Sequence, residues 1–162
     1  MVHGAELGAP TVTAAELQQI LRKPDRFGRW TTSVLADAVV RHVDSETLTV
    51  QLEVGEALSN SGGALHGGAI ATLIDVLTST ALLVRDARPS VTVDLNEACI
   101  SSAPVGSTIT IESRVELVGH SMMFASCRLY VDEVDGGRRL VATGMHTKKA
   151  VRAAGQQPRA KL

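Results

Sequence analysis

A chain of 162 residues, 44% of them hydrophobic, is long enough for one domain with a substantial core. Its formal net charge of −1 offers no electrostatic footprint for nucleic acid, and one Trp, one Tyr and two Phe are too few for base-stacking platforms. Two cysteines outside any CxxC pair, Cys99 and Cys127, exclude a disulfide framework; in their apolar surroundings they read as buried free thiols of a reducing compartment.

Residues 1–12 are expected to be disordered. They lack the basic start and apolar core of a secretory signal. The expected address is therefore cytoplasmic. Arg22, Lys23, Arg26 and Arg29 leave a mitochondrial presequence open, against Glu6, Glu16 and Asp25. Thr13-Ala-Ala-Glu16 is a capping-box pattern opening a short helix that stops before Pro24. A basic loop is expected over 25–31, making 1–32 an N-terminal extension with one short helix.

The hydrophobic period then changes. Val34–Val43 and Thr47–Val54 read as strands around the polar break Asp44-Ser45-Glu46. The small, polar segment 59–63 reads as a loop. Leu65-His66-Gly67-Gly68 leads into a helix over 68–84, apolar on nearly all sides and so expected to be buried. The apolar run 69–84 is shorter than a membrane span needs and contains Asp75, so a soluble protein without a membrane partner is expected. Strands follow near Val91–Ile100, Ser107–Val118, Met122–Asp132 and Arg138–Lys148, with turn signals between them. The tail 150–162 is expected to be disordered. One helix followed by four long antiparallel strands predicts an α+β fold, a curled sheet wrapped around a central helix over 33–149.

Two positions carry the chemistry. Glycines at 67 and 68 let backbone N–H groups approach a ligand at the positive end of a helix. Asp75 lies inside the apolar run with no basic residue there to pair with it. Burying such a charge is costly, it raises a carboxyl pKa, and it more often marks a site than a scaffold. The alternative is a carboxylate bonded to Thr72, Thr78 or Ser79. Eight residues of helix separate Gly67 from Asp75 by roughly 12 Å, too far for both to act on one ligand atom from the same helix. A two-fold pair of antiparallel helices removes that obstacle. Five histidines, His3, His42, His66, His120 and His146, lack metal-ligand spacing, and neither metal nor cofactor is expected.

Asn60-x5-His66-Gly67-Gly68-x6-Asp75, then Val91-Thr92-Val93-Asp94-Leu95-Asn96, then Gly144-Met145-His146-Thr147-Lys148 resembles the hotdog-fold acyl-CoA thioesterases, in the branch of the phenylacetyl-CoA thioesterases and their mammalian counterparts. The likeness spans about residues 33–149. It implies hydrolysis of an acyl-CoA to acid and CoA in active sites shared across a homodimer, often within a homotetramer. It implies that the Gly67 amide polarises the thioester and that Asp75 is base or nucleophile. Asn60 would help hold thioester or water, and Thr92 would assist the water. His66 reads either as a base or, more plainly, as a residue orienting the loop. For the CoA moiety the resemblance implies the turn Val118-Gly119-His120-Ser121, with Gly68, His146 and Lys148; Arg85 and Arg88 are further candidates. Two other readings remain. A hotdog dehydratase commonly carries a His-Phe-Pro-Gly pattern that His66-Gly67-Gly68 does not match, and a non-catalytic acyl-CoA sensor has no need of Asp75.

Overall fold

The computed structural model describes residues 12–151. Helix α1 (Ala14–Leu21) opens as predicted: the Thr13 hydroxyl accepts from the Glu16 N–H, and Glu16 accepts in return from the Thr13 N–H at 2.7 Å. Leu17 and Leu21 are fully buried. Between them Gln18 donates to the Ala38 carbonyl and accepts from the Val40 N–H, which pins the chain entering the sheet.

The loop expected over 25–31 belongs instead to α2 (Pro24–Val34), interrupted where Gly28 takes φ +79. Proline at a helix start has its φ already set. Neighbours Val34 and Leu35 are both buried, which one face of a strand does not allow because successive side chains alternate. The first strand, predicted from Val34, is therefore only β1 (Val39–Val43).

The other elements lie within two residues of their predicted bounds: β2 (Thr47–Glu53), α3 (Gly67–Arg85), β3 (Ser90–Cys99), β4 (Thr108–Val118), β5 (Met122–Asp132) and β6 (Arg138–Ala150). They form one six-stranded antiparallel sheet in the order β1-β2-β4-β5-β6-β3. Along β5, Met123, Ala125, Cys127, Leu129 and Val131 alternate inward. Against that face packs α3, with Leu73, Ile74 and Leu77 fully buried. Its 19 residues are long and apolar enough for a bilayer span by length and composition, contrary to the sequence expectation. Here the sheet covers that apolar surface. At Gly144 of β6 the helix lies close against the strand: a Cβ there would sit 2.5 Å from Ile74 Cγ2.

Strand β3 is a sheet edge. Val91, Val93 and, on β6, Met145 are each about half exposed. Cys99 lies on this edge and is exposed, not buried as expected, because no strand among the described residues pairs beyond it. Cys127 is buried, and desolvation pushes its thiol up to about 12. Ala150 pairs with Ser90, so the sheet extends past the predicted end of the domain. Apart from Val12, Ala150 and Val151, the two stretches expected to be disordered lie outside the described residues.

Candidate active site

The loop before α3 is closed by Asn60. Its side-chain oxygen accepts from the Gly62 and Ala64 N–H groups, and its backbone N–H donates to the Ala64 carbonyl at 2.7 Å. This is an Asx turn. The Asn60 amide NH2 has no partner among the described residues. Backbone bonds from His66 to Leu58 and from Leu65 to Ala103 then fix the direction in which the helix starts.

His66 is the N-cap. Its Nδ1 accepts from the Gly68 N–H at 2.8 Å, so its ring proton sits on Nε2. This bond caps the first turn of α3. A Cβ on residue 68 would lie 3.2 Å from that Nδ1, which explains a small residue there. Gly67 is the first helical residue, and its N–H has no acceptor among the described residues. Such a donor at a helix N-terminus is suited to a carbonyl oxygen gaining negative charge.

Asp75 lies two turns on. Its side chain is 46% exposed in the single chain, so the burial inferred from an apolar run is not met. A helix buried on most sides still leaves one open, and Asp75 is on it. None of the expected helix hydroxyls holds its carboxylate. Thr72 donates to the Gly68 carbonyl, Thr78 to that of Ile74, and Ser79 accepts from Lys148. The basic neighbours missing from the run come from β6. His146 Nε2 lies 3.5 Å from Asp75 Oδ1, and Lys148 is the next inward residue of the same strand.

Both were expected among the groups for CoA; in the single chain His146 is 1% and Lys148 7% exposed. In a strand, i and i+2 share a face, and this face looks onto α3. A bulge in β3 between Thr92 and Asp94 keeps Thr92 opposite Lys148 while Leu95 pairs with His146. Thr92 is thereby held over both.

The proton positions in this cluster follow from counting. Thr78 Oγ1 lies 2.6 Å from the Ile74 carbonyl oxygen and 2.6 Å from His146 Nδ1. A carbonyl only accepts, so the single Thr78 proton goes there and Nδ1 carries the ring proton. Burial pushes the His146 pKa down to about 4. The Lys148 charge acts in the same direction, and Asp75 and Asp94 oppose it. The neutral ring leaves a lone pair on Nε2, 2.9 Å from the Thr92 hydroxyl. Lys148, its own pKa lowered by burial against the pull of Asp75, donates to Thr92 Oγ1 at 3.3 Å. The Thr92 proton is thus committed to His146 rather than to Asp75 Oδ1 at 3.4 Å. Asp75 keeps its lone pairs for a solvent molecule.

Asp75, Ser79, Thr92 and Lys148 are among the polar residues lining a cleft of about 780 Å³; Val76, Leu82, Val91 and Met123 supply apolar wall. Beside it runs the β4–β5 turn at Gly119, His120 and Ser121, following half-buried Val118 at the end of β4. His120 and Ser121 are exposed. Arg85 is exposed too, whereas Arg88 is engaged with Asp86 and with the carbonyls of the turn. Ser79 and Thr78 had no assigned part in the site beyond their proximity to Asp75; the inward phase of His146 and Lys148 was the available signal for both. Among the described residues no three His, Cys, Asp or Glu side chains converge as a metal site requires.

An antiparallel sheet wrapped on one long helix, with a free amide at the helix start and an acid halfway along it, defines the hotdog class of thioester-processing folds. Comparison with known proteins gives the family. The model of the thioesterase superfamily matches residues 62–137. Mouse acyl-coenzyme A thioesterase 13 is 32% identical over 143 residues, 88% of this chain and 97% of that protein. The crystal structure of zebrafish thioesterase superfamily member 2 superposes with a TM-score of 0.78 at 31% identity, covering 87% of this chain and all of the other. The mouse member 2 structure gives 0.74 at 30% identity, over 86% of this chain and 98% of the other. The chain belongs to the thioesterase superfamily and is a thioester hydrolase.

Proposed function

We propose that the protein hydrolyses acyl-CoA to the free acid and CoA in a site built by two protomers. The observation that carries this reading is Asp75: a half-exposed carboxylate facing the cleft, whose neighbouring hydroxyl gives its proton to His146 instead. Such a carboxylate can take a proton from water as the oxygen adds to the thioester carbon. The Gly67 N–H stabilises the oxyanion, the C–S bond breaks, and the thiolate recovers the proton from Asp75. Direct attack by Asp75, through an anhydride that water then opens, uses the same groups. In this reading the Asn60 amide, unbonded among the described residues, assists the thioester, and Thr92 orients the water.

Gly67 and Asp75 lie roughly 12 Å apart along one helix, so the polarising amide and the acid at one carbonyl come from different protomers. The exposed β3 edge, with Val91 and Val93 about half exposed, supports a two-fold partner that extends the sheet. A homodimer is the minimal active unit, and two dimers can join as a tetramer. The acyl-coenzyme A named for the mouse relative supports the choice of substrate.

Release of free thiol from a panel of acyl-CoAs tests the reading. Asp75→Asn keeps the volume and removes the acid, and turnover is expected to fall at least a hundredfold with an unchanged melting temperature. Activity within a few-fold of the parent removes Asp75 from its assigned role. A sedimentation run showing monomer alone at assay concentrations ends the shared-site model.

A further inference from the structure

Arg88 lies in the short link between α3 and β3 and reaches a part of the chain more than thirty residues away. Its Nε donates to both oxygens of Asp86, at 3.0 and 2.8 Å, and Nη2 joins the same carboxylate at 2.5 Å. The other side of the guanidinium holds the β4–β5 turn: Nη1 donates to the His120 carbonyl at 2.6 Å and Nη2 to the Gly119 carbonyl at 2.9 Å. Two further bonds knit the same end of the sheet, from Ala150 N–H to the Ser121 carbonyl and from Val151 N–H to the Pro89 carbonyl, each 2.8 Å. Asp86, Arg88 and Pro89 also line the cleft.

The consequence comes from peptide geometry. In a planar trans peptide the N–H points opposite to the C=O. The Gly119 carbonyl shares its peptide with the His120 N–H, and the His120 carbonyl shares its own with the Ser121 N–H. One cation drawing both carbonyls inward therefore turns both N–H groups outward. Neither has an acceptor among the described residues, and successive N–H groups presented together are a concavity for an anion. The exposed Ser121 hydroxyl and His120 imidazole stand on the same turn.

We propose that Arg88 is a positioning residue that orients the His120 and Ser121 amides to bind a phosphate group of the thioester substrate. This rests on the acyl-CoA reading above, because CoA supplies the phosphates. Arg88 acts through the turn and not as a phosphate ligand, since most of its donors are already engaged within the protein.

The test compares hydrolysis of one acyl-CoA with that of the matching acyl-pantetheine, which lacks the nucleotide, in the full chain and in Arg88→Ala, Arg88→Lys and Asp86→Asn. The readout is the preference, the ratio of the two kcat/KM values. Loss of two amide bonds to a charged phosphate is expected to lower that ratio about tenfold in Arg88→Ala, through KM for the acyl-CoA. Arg88→Lys is expected to lower it too, because an ammonium cannot grip two carbonyls and a carboxylate as a planar fork does. Asp86→Asn loosens the same fork, and KM for acyl-CoA is expected to rise. An unchanged ratio in Arg88→Ala overturns the proposal. So does a ratio in Arg88→Lys equal to that of the parent, or a lower KM in Asp86→Asn; both are signs of direct charge contact. Should Arg88→Ala fail to fold, the other two variants decide the matter. A parent chain that cleaves neither substrate refutes the acyl-CoA reading itself, which differs from a parent that cleaves both with a ratio indifferent to Arg88.

Discussion

Acidification should destabilise this protein through His146 in a window distinct from that of its carboxylates. In the unfolded chain a histidine takes up its proton near pH 6.5; in the fold, burial first and then the Lys148 charge delay this to about 4. Between those values the unfolded state binds more protons, so stability rises with pH across the window and falls as pH drops through it. The separation of about 2.5 units corresponds to about 3 kcal/mol. That is a large share of the stability of an ordinary domain. The His146 side chain is itself inaccessible to solvent, but the half-exposed Asp75 beside it admits some screening, so about 3 kcal/mol is an upper bound. Structurally, protonation places a second N–H on a ring whose Nε2 accepts from Thr92, beside the Lys148 ammonium. Asp44 and Asp86, whose pKa values are lowered mainly by hydrogen bonds from their neighbours, add their own losses below about 4. Urea unfolding at half-unit steps from pH 4.5 to 7.5 measures the slope, and His146→Gln should flatten it. A parent whose unfolding free energy is level from pH 6.5 to 4.5, or a His146 ring titrating near 6.5 by NMR, refutes the reasoning.

Packing and capping give two further expectations. Gly144→Ala drives a methyl to within 2.5 Å of buried Ile74, an overpacking expected to cost about 2 kcal/mol and roughly 6 °C in melting temperature; a melt matching the parent shows that α3 can move off the sheet freely. Thr13→Ala removes the acceptor for the Glu16 N–H and should cost about 1 kcal/mol, with Thr13→Ser restoring most of it; equal unfolding midpoints for all three chains show α1 to be uncoupled from the fold.

The element order was readable because each segment from Thr47 onward carries its own period. Alternation along β5 marks a strand, and the all-round apolar run with two glycines at its head marks a core helix. Capping at Thr13 was readable for the same reason, since both partners lie within four residues. Local signals stopped at α2, where polar and basic residues masked a helix whose later part is held by buried Thr31 and Val34, with buried Leu35 at its end.

The spacing from Asn60 through Gly67 to Asp75 belongs to the linear chain, and with Thr92 it supplied the family resemblance that the comparisons bore out. The surroundings of Asp75 do not belong to the linear chain. An apolar run implied burial and an absence of cations, whereas the acid stands at the open side of α3 with His146 and Lys148 beside it. Those neighbours lie some seventy positions away and arrive through sheet register and one bulge in β3, which no local pattern encodes. Which proton faces which atom, and which arginine grips the β4–β5 turn, is decided by contacts between distant segments. Sequence periodicity sets how a segment folds; only packing sets what it meets.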